Sequence, residues 1–277
     1  MQQPSLLLLP DELLIQICSL LDVLSIFALG DSCSLGRNRL LSMRSIWRHI
    51  TFDPNQKDLH AIYATLRRFR DDNTLNHLRP LVESVCMDSF DDPMISPIVM
   101  LVKFPSLQHI SATNRRYNTS IESDTKVLQS FLKQRKILPG SLSLQSYNVY
   151  NPYMNEDRLL GRFQSTLSLL AKSGSVQLDI KECSHALVSP SVANNLDNET
   201  TGEDDVHMQA YCHRIISKYA KCSFCGEPEI FCYKCVEKCT NCGVRRLPPF
   251  VNALNVLEAT NVSNDTADGE DMFSVFE

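Results

Sequence analysis

The segment LPDELLIQICSLL, residues 9–21, predicts a short amphipathic helix near the start of the chain. Pro10 suits the first turn of a helix, where its missing N–H leaves no hydrogen bond unmade. Asp11 and Glu12 then lie beside the positive end of the helix dipole. The apolar residues that follow have helical spacing and form a single stripe, made of Leu13, Leu14, Ile17, Leu20 and Leu21.

Two further apolar groups extend this helix to a predicted bundle of three short helices within residues 1–53. Asp22 is placed to cap a second helix that carries Ile26, Phe27 and Leu29. The third group contains Leu40, Leu41, Ile46 and the single tryptophan, Trp47. Because so small a bundle buries little apolar surface, it tends to need a partner or a neighbouring domain.

The residue order LPDELLIQICSLLDVLSIFAL, followed by SIWRHITF, resembles the F-box motif over residues 6–52. The resemblance implies that these helices bind a Skp-type adaptor and, through it, the cullin of an SCF ubiquitin ligase. The apolar stripe would then lie in a groove of a helical partner. The residues assigned to this contact are Leu9, Pro10, Glu12, Leu13, Leu14, Ile17, Leu20 and Trp47. The alternative is that the stripe only closes the core of an N-terminal helical domain.

Residues 54–188 predict an α/β domain in which short strands alternate with helices. Strand-like segments occupy residues 78–89, 104–114, 138–149 and 174–183, and helical patterns occupy 125–138 and 156–173. If Val85, Ile110, Leu144 and Leu178 are equivalent positions, the strands recur after 25, 34 and 34 residues. This alternation favours a parallel sheet with helices on one side.

One of these segments, FPSLQHISATN, resembles a degenerate leucine-rich repeat, which implies a repeat-like domain. An ordinary α/β domain without repeats is the alternative. The region shows no phosphate-binding glycine loop, no Ser/His/Asp set and no paired carboxylates. A non-catalytic receptor or adaptor subunit is therefore expected rather than an enzyme.

The 11 cysteines are the compositional outlier, and their odd number excludes a fully paired disulfide framework within one chain. Three Cys-x2-Cys pairs fall within residues 222–242. Glycine follows Cys225 and Cys242, as in the knuckles of zinc ribbons, where a positive φ turns backbone N–H groups towards the sulfurs. One structural zinc site is therefore predicted from Cys222, Cys225, Cys239 and Cys242, in a small zinc-ribbon-like module at residues 207–250.

The remaining pair, Cys232 and Cys235, needs two more ligands to hold a second zinc. Cys212 and His213 are nearest in sequence, whereas Cys183 and His185 are the other candidates. Sequential pairing, with Cys222 and Cys225 joined to Cys232 and Cys235, is the competing arrangement. The remaining three cysteines are predicted to be core residues: Cys18, Cys33 and Cys86.

Two polar segments carry the acidic excess behind the net charge of −5. Residues 189–206 predict an acidic flexible linker, and residues 251–277 predict a disordered acidic tail. Neither a secretory leader nor an apolar run of membrane-spanning length is present. A cytoplasmic or nuclear location without membrane contact is expected, where thiols stay reduced and clustered cysteines favour metal over disulfides.

The function predicted from these features is target recognition within an SCF-type ubiquitin ligase. A rival interpretation is a zinc-ribbon protein that binds nucleic acid or acts in transcription, with a basic face from Lys221, Lys234, Lys238, Arg245 and Arg246. A scaffold outside any ligase is the third possibility. The identity of the target is not encoded in any motif of the sequence.

Overall fold

The computed structural model describes residues 9–52, 59–70, 73–90, 95–115, 121–151, 159–183, 185 and 212–246. The predicted linker at 189–206 and the predicted tail at 251–277 lie outside these ranges. The described part is a mixed α/β structure with a parallel sheet, as the sequence predicts. None of its helices is both long enough and apolar enough to cross a membrane.

Three helices form the N-terminal bundle: α1 (Asp11–Cys18), α2 (Val23–Asp31) and α3 (Ser34–Ser42). The predicted cap is confirmed, since Asp22 Oδ1 accepts hydrogen bonds from the N–H groups of Leu24 at 2.9 Å and Ser25 at 3.1 Å. Cys33 is not a core residue as predicted: it is exposed and caps α3, with its Sγ accepting the N–H of Gly36.

Trp47 fixes the core of this bundle from a 3-10 turn over Arg44–Trp47. Its indole Nε1 donates a hydrogen bond to the carbonyl of Leu40 at 3.0 Å, and its ring centroid lies 5.0 Å from that of Phe27. Leu14 and Cys18 of α1 are also fully buried. Trp47 therefore contacts both α2 and α3 from inside the bundle.

A five-stranded parallel sheet follows, with its strands in sequence order. The strands are β1 (His49–Thr51), β2 (Ser84–Cys86), β3 (His109–Ser111), β4 (Ser146–Asn148) and β5 (Gln177–Leu178). Between them lie α4 (Leu59–Arg68), a 3-10 helix (Asn76–Leu81), α5 (Val99–Lys103), α6 (Ile121–Lys133) and α7 (Leu160–Leu170). Because each strand pairs with the next one along the chain, every connection between them is a crossover.

The register of the sheet corrects one predicted equivalence. Ile110 pairs with Tyr147 of β4, so Leu144, which precedes the strand, is not the equivalent residue. Both side chains are buried, which explains why apolar spacing alone could not choose between them. Tyr147 is suited to the interior because its hydroxyl donates to the buried carboxylate of Asp124 at 3.2 Å.

The sheet also begins earlier than expected. β1 lies inside the segment that was predicted to be wholly helical, and it pairs directly with β2 through Ile50 and Val85. One continuous apolar core includes residues from Leu14 in α1 to Ile215. The helical bundle and the sheet are therefore packed as one body.

The two faces of the sheet differ sharply in polarity. The inner face is buried and consists of Ile50, Val85, Ile110, Tyr147 and Leu178. The side chains of the opposite face are exposed or half-buried: His49, Thr51, Ser84, Cys86, His109, Ser111, Ser146, Asn148 and Gln177. We call this surface the open face. Its side chains contact one another across strands, as in the 2.9 Å contact between His109 Nδ1 and Ser146 Oγ.

A second, two-stranded sheet joins the cysteine-rich module to the end of the first. β6 (Ile180–Glu182) pairs antiparallel with β7 (Ile215–Ser217). Ile180 and Ile215 belong to the main core, so the module packs directly against it. The open face also reaches the module, because Gln177 Nε2 of β5 donates to Tyr219 OH at 3.1 Å.

Candidate metal centre

The first Cys-x2-Cys-Gly segment forms a tight turn that directs two thiols to one point. Gly226 has a φ of +74°, and its N–H donates to the carbonyl of Cys222 at 2.9 Å. The N–H of Cys222 in turn donates to the carbonyl of Glu227 at 2.8 Å. A positive φ is the conformation that glycine adopts at little cost, and the positive φ predicted for this glycine is confirmed.

The second segment repeats this geometry. Gly243 has a φ of +70°, its N–H donates to the carbonyl of Cys239 at 2.9 Å, and the N–H of Cys239 donates to the carbonyl of Val244 at 2.9 Å. The sequence shows the same relation, since KCSFCG at 221–226 and KCTNCG at 238–243 match at four of six positions. The two knuckles are thus copies of one local structure.

The knuckles bring four thiols together, and we call Cys222, Cys225, Cys239 and Cys242 the knuckle group. Their sulfur atoms all lie within 4.8 Å of one another. The Sγ atoms of Cys222 and Cys242 are 3.7 Å apart, and those of Cys225 and Cys239 are 3.6 Å apart. Four thiolates at about 2.3 Å from one ion would form a tetrahedron with edges of about 3.8 Å. These are the four residues that the sequence predicts for one site.

A second set of thiols, the bridging group, consists of Cys183, Cys212, Cys232 and Cys235. Its sulfur atoms also lie within 4.8 Å of one another, with 3.8 Å between those of Cys212 and Cys232. Cys183 follows β6 and Cys212 precedes β7, so the pairing of these strands sets their separation. The two groups, each of which could hold a metal ion, therefore differ in how they are built.

His213 was predicted as a ligand beside Cys212, but it lies outside the bridging group. Cys183 is the fourth member instead. Its Nδ1 faces Glu182 Oε2 at 3.2 Å instead. The physical reason is that neighbouring residues of an extended chain point to opposite sides, so Cys212 and His213 cannot both reach one ion. Sequential pairing also fails, because Cys232 and Cys235 lie apart from Cys222 and Cys225.

His185 approaches the bridging group without joining it. Its carbonyl accepts the N–H of Cys212 at 3.0 Å, while its ring packs edge-on against Phe231 at 5.1 Å between centroids. The thiols of Cys183, Cys212 and Cys232 are buried beside Ile216 and Phe231. The sequence offered Cys183 only as an alternative ligand, and no local spacing distinguishes it.

The electrostatics of the knuckle group favour one thiolate. Hydrogen bonds from the N–H groups of Cys242 and Asn241 lower the pKa of Cys239 to about 7. The N–H of Val244 acts in the same direction on Cys242, but burial and the thiols of Cys225 and Cys239 outweigh it and raise its pKa to about 12. Cys239 is thus the thiol of this pair that loses its proton first, and a metal ion bound by all four sulfurs would displace the remaining protons.

The bridging group shows the same division between two of its members. Burial raises the pKa of Cys232, but the backbone N–H groups of Cys235 and Lys234 outweigh it, so the pKa is lowered. Burial raises the pKa of Cys235, and the neighbouring thiol of Cys232 raises it further. All four donors in each group are soft sulfurs, which suit a thiolate-binding metal and leave no coordination position for a substrate.

The residues predicted to contact an adaptor divide into two sets. Leu13 and Leu20 are exposed by 45% and 86%, Pro10 and Glu12 are exposed, and Leu9 and Ile17 are half-buried. Leu14 and Trp47 are instead buried in the bundle core, so they cannot touch a partner. Leu13 of α1 and Leu20 in the turn after α1 thus stay exposed when the bundle closes, and we call these two leucines the outer strip.

The predicted basic residues of the module divide similarly. Lys221, Lys234, Lys238 and Arg245 are exposed, whereas the side chain of Arg246 is only 8% exposed.

Comparisons of the chain with protein-family models, with curated proteins and with solved structures found no match.

Proposed function

We propose that the protein is the substrate-recognition subunit of an SCF-type ubiquitin ligase. The observation that carries the proposal is the outer strip. The helix α1 is only eight residues long, and Leu14 and Cys18 already lie in the bundle core, yet Leu13 of the helix and Leu20 just beyond its end are exposed. Large apolar side chains that stay exposed at one end of a bundle are candidates for burial against a partner.

Two further features of the bundle support docking of a helical adaptor. Leu35 of α3 adds a further exposed apolar side chain to the bundle, at 59% exposure. Arg39 of α3 donates to Asp11 Oδ1 at 3.0 Å, which fixes the orientation of α1 on α3. Burial of one exposed leucine in a groove contributes roughly 1.5–3 kcal/mol, so two or three such side chains can support specific docking. A Skp-type adaptor would link this strip to the cullin.

The open face of the parallel sheet is the surface we assign to target recognition. It presents small polar side chains and two histidines, His49 and His109, across several strands. An in-order parallel sheet with one uncovered face supports the interpretation of the middle region as a degenerate leucine-rich-repeat domain. The receptor itself performs no chemistry, since ubiquitin transfer belongs to its partner enzymes.

The two thiol groups are assigned to structural zinc ions. Four-sulfur coordination with edges near 3.8 Å is the arrangement that Zn²⁺ adopts in closed structural sites. Such a site contributes folding energy to a module too small to bury a core of its own. The metal would thus shape the receptor without reacting.

A pull-down of the full chain with a Skp-type adaptor tests the proposal. The wild-type protein should bind, and Leu13→Ala with Leu20→Ala should weaken binding at least tenfold. The matched control is Leu138→Ala with Leu169→Ala, two leucines of similar exposure, 56% and 57%, elsewhere on the surface. A wild-type chain that does not bind the adaptor contradicts the proposal, as does equal weakening by both double variants.

A second candidate, nucleic-acid binding, is favoured by the exposed cations of the module. Lys221, Lys234, Lys238 and Arg245 make no ion pair with any described residue, and Phe224, three residues after Lys221, is 75% exposed. Lysines with an accessible aromatic ring are typical of single-strand binding. This function requires binding to a fluorescent oligonucleotide that weakens steeply with salt and on Lys221→Ala with Lys238→Ala.

A further inference from the structure

The order of the ligands along the chain links the two thiol groups. Along the chain, the first pair of ligands belongs to the bridging group, the second to the knuckle group, the third to the bridging group and the fourth to the knuckle group. These pairs are Cys183 and Cys212, Cys222 and Cys225, Cys232 and Cys235, and Cys239 and Cys242. The groups therefore alternate. The turn at Cys232, which belongs to the bridging group, therefore lies within the segment that joins the two halves of the knuckle group.

One buried side chain makes this dependence physical. Arg246 follows the second knuckle, and its guanidinium crosses to the segment that carries Cys232. Nη2 donates to the carbonyl of Phe231 at 2.6 Å, and Nη1 donates to the carbonyls of Cys232 at 3.3 Å and Val236 at 3.2 Å. The backbone on both sides of the bridging turn is thus held by a residue from the knuckle segment.

Glu229 completes this connection. Its carboxylate accepts hydrogen bonds from Nε and Nη2 of Arg246 at 2.9 and 2.6 Å. The side chain of Arg246 is 8% exposed and that of Glu229 is 22% exposed. The backbone of Glu229 donates to the carbonyl of Ala220, just before the first knuckle, and accepts Lys181 Nζ of β6 at 3.1 Å. A bidentate pair with so little exposure is only weakly screened by water.

We propose that the eight thiols constitute one binuclear metal unit, which binds two thiolate-preferring divalent ions together rather than independently. Arg246 is its positioning residue, because it ties the second knuckle to the bridging turn without contacting either ion. This inference rests on the assignment of metal to the thiols, and it does not depend on adaptor binding.

Cobalt titration of the metal-free full chain tests the inference, since thiolate-bound Co²⁺ absorbs in the near-ultraviolet and visible. We expect two cobalt ions per chain, bound over one range of concentration. Cys242→Ser, which removes a knuckle ligand, should weaken cobalt binding at the intact bridging group at least tenfold. Cys33→Ser, which removes an exposed thiol outside both groups, should leave both ions bound as in the wild type.

A variant that keeps all eight thiols guards against simple misfolding. Arg246→Met should weaken binding of both ions at least fivefold. The control Arg245→Met, which replaces the exposed neighbouring arginine, should leave the affinity for both ions unchanged. If Cys242→Ser keeps one ion at wild-type affinity, or if Arg246→Met matches its control, the coupling is refuted while the metal assignment stands. A wild-type chain that binds less than one cobalt refutes both, whatever the adaptor pull-down shows.

Discussion

The carboxylate of Asp179 binds the backbone just after β4, where its Oδ1 accepts a hydrogen bond from the N–H of Val149 at 2.7 Å. Its Oδ2 accepts the N–H of Tyr150 at 3.0 Å, and its own carbonyl accepts the N–H of Lys218 at 2.6 Å. Asp179 therefore joins the end of β4, the β5–β6 junction and β7 at a single residue.

Replacement of Asp179 by alanine should lower the free energy of unfolding by about 2–4 kcal/mol, because two backbone N–H groups lose their acceptor. Asp179→Asn keeps one carbonyl oxygen for Val149 and should cost less. Urea denaturation followed by circular dichroism measures both values. Equal stability of the alanine variant and the wild type would show that water replaces the carboxylate.

Asp124 gives stability a dependence on pH. Burial raises its pKa above the usual 3.8, although the charge of Arg115 and hydrogen bonds from Ser96 and Tyr147 act in the opposite direction. The folded state therefore keeps this proton to a higher pH than the unfolded state does. The free energy of unfolding therefore falls as the pH rises from about 4, the pKa in the unfolded chain, through the higher pKa of the folded protein.

The variant Asp124→Asn has no proton to lose at this position. Between about pH 4 and pH 7, its free energy of unfolding should therefore rise relative to that of the wild type. Urea midpoints measured across this range test the sign. Glu122→Gln is the control, since Lys126 lowers the pKa of the exposed Glu122 and the opposite trend is confined to pH values below about 4.5, which leaves its relative stability constant above that pH. A wild-type advantage that grows with pH would contradict the assignment for Asp124.

The knuckle glycines should be needed for their backbone conformation alone. A Cβ on Gly226 or Gly243 would meet no atom within 4 Å, so only the positive φ opposes substitution. Gly226→Ala and Gly243→Ala should each cost about 1–2 kcal/mol, or roughly five- to thirty-fold in metal affinity. Competition with a chromophoric chelator measures this loss.

Gly161, in α7, is the matched control for these substitutions. It also has open space at the Cβ position, but its φ is not in the left-handed region. Gly161→Ala should leave metal affinity unchanged and stabilise α7 by up to about 1 kcal/mol. Equal effects of all three alanine variants on metal affinity would remove the conformational explanation.

Unfolding should be cooperative across the helical bundle and the sheet, because one apolar core includes both. Trp47 is the single tryptophan, so its fluorescence reports on the bundle, whereas circular dichroism reports on all helices and strands. The two signals should change at the same urea concentration. Two separate midpoints would show that the bundle unfolds alone, and Trp47→Phe should abolish the fluorescence signal.

The parts of the site that sequence predicted are those with local causes. The knuckle group follows from two short turns, each with its own glycine and its own backbone hydrogen bonds, so spacing within six residues was enough. The cap at Asp22 and the parallel sheet likewise follow from short-range patterns.

The parts that sequence missed depend on contacts between distant segments. Cys183 joins its group through the pairing of β6 with β7, and the two strands are separated by the predicted linker. β1 has only three residues and takes its conformation from β2, so its own residues could not distinguish it from a helix end. Tyr147 was overlooked because its buried hydroxyl needs Asp124, which lies 23 residues away.

The wide separation of the bridging ligands has a consequence for synthesis of the protein. The N–H of Cys232 donates to the sulfur of Cys183, 49 residues earlier in the chain. At roughly 5–20 residues per second, the ribosome leaves Cys183 without its later ligands for several seconds. During that interval the thiol is open to oxidants and stray metals. A chain interrupted before Cys232 would carry a finished sheet with a permanently unfilled metal site.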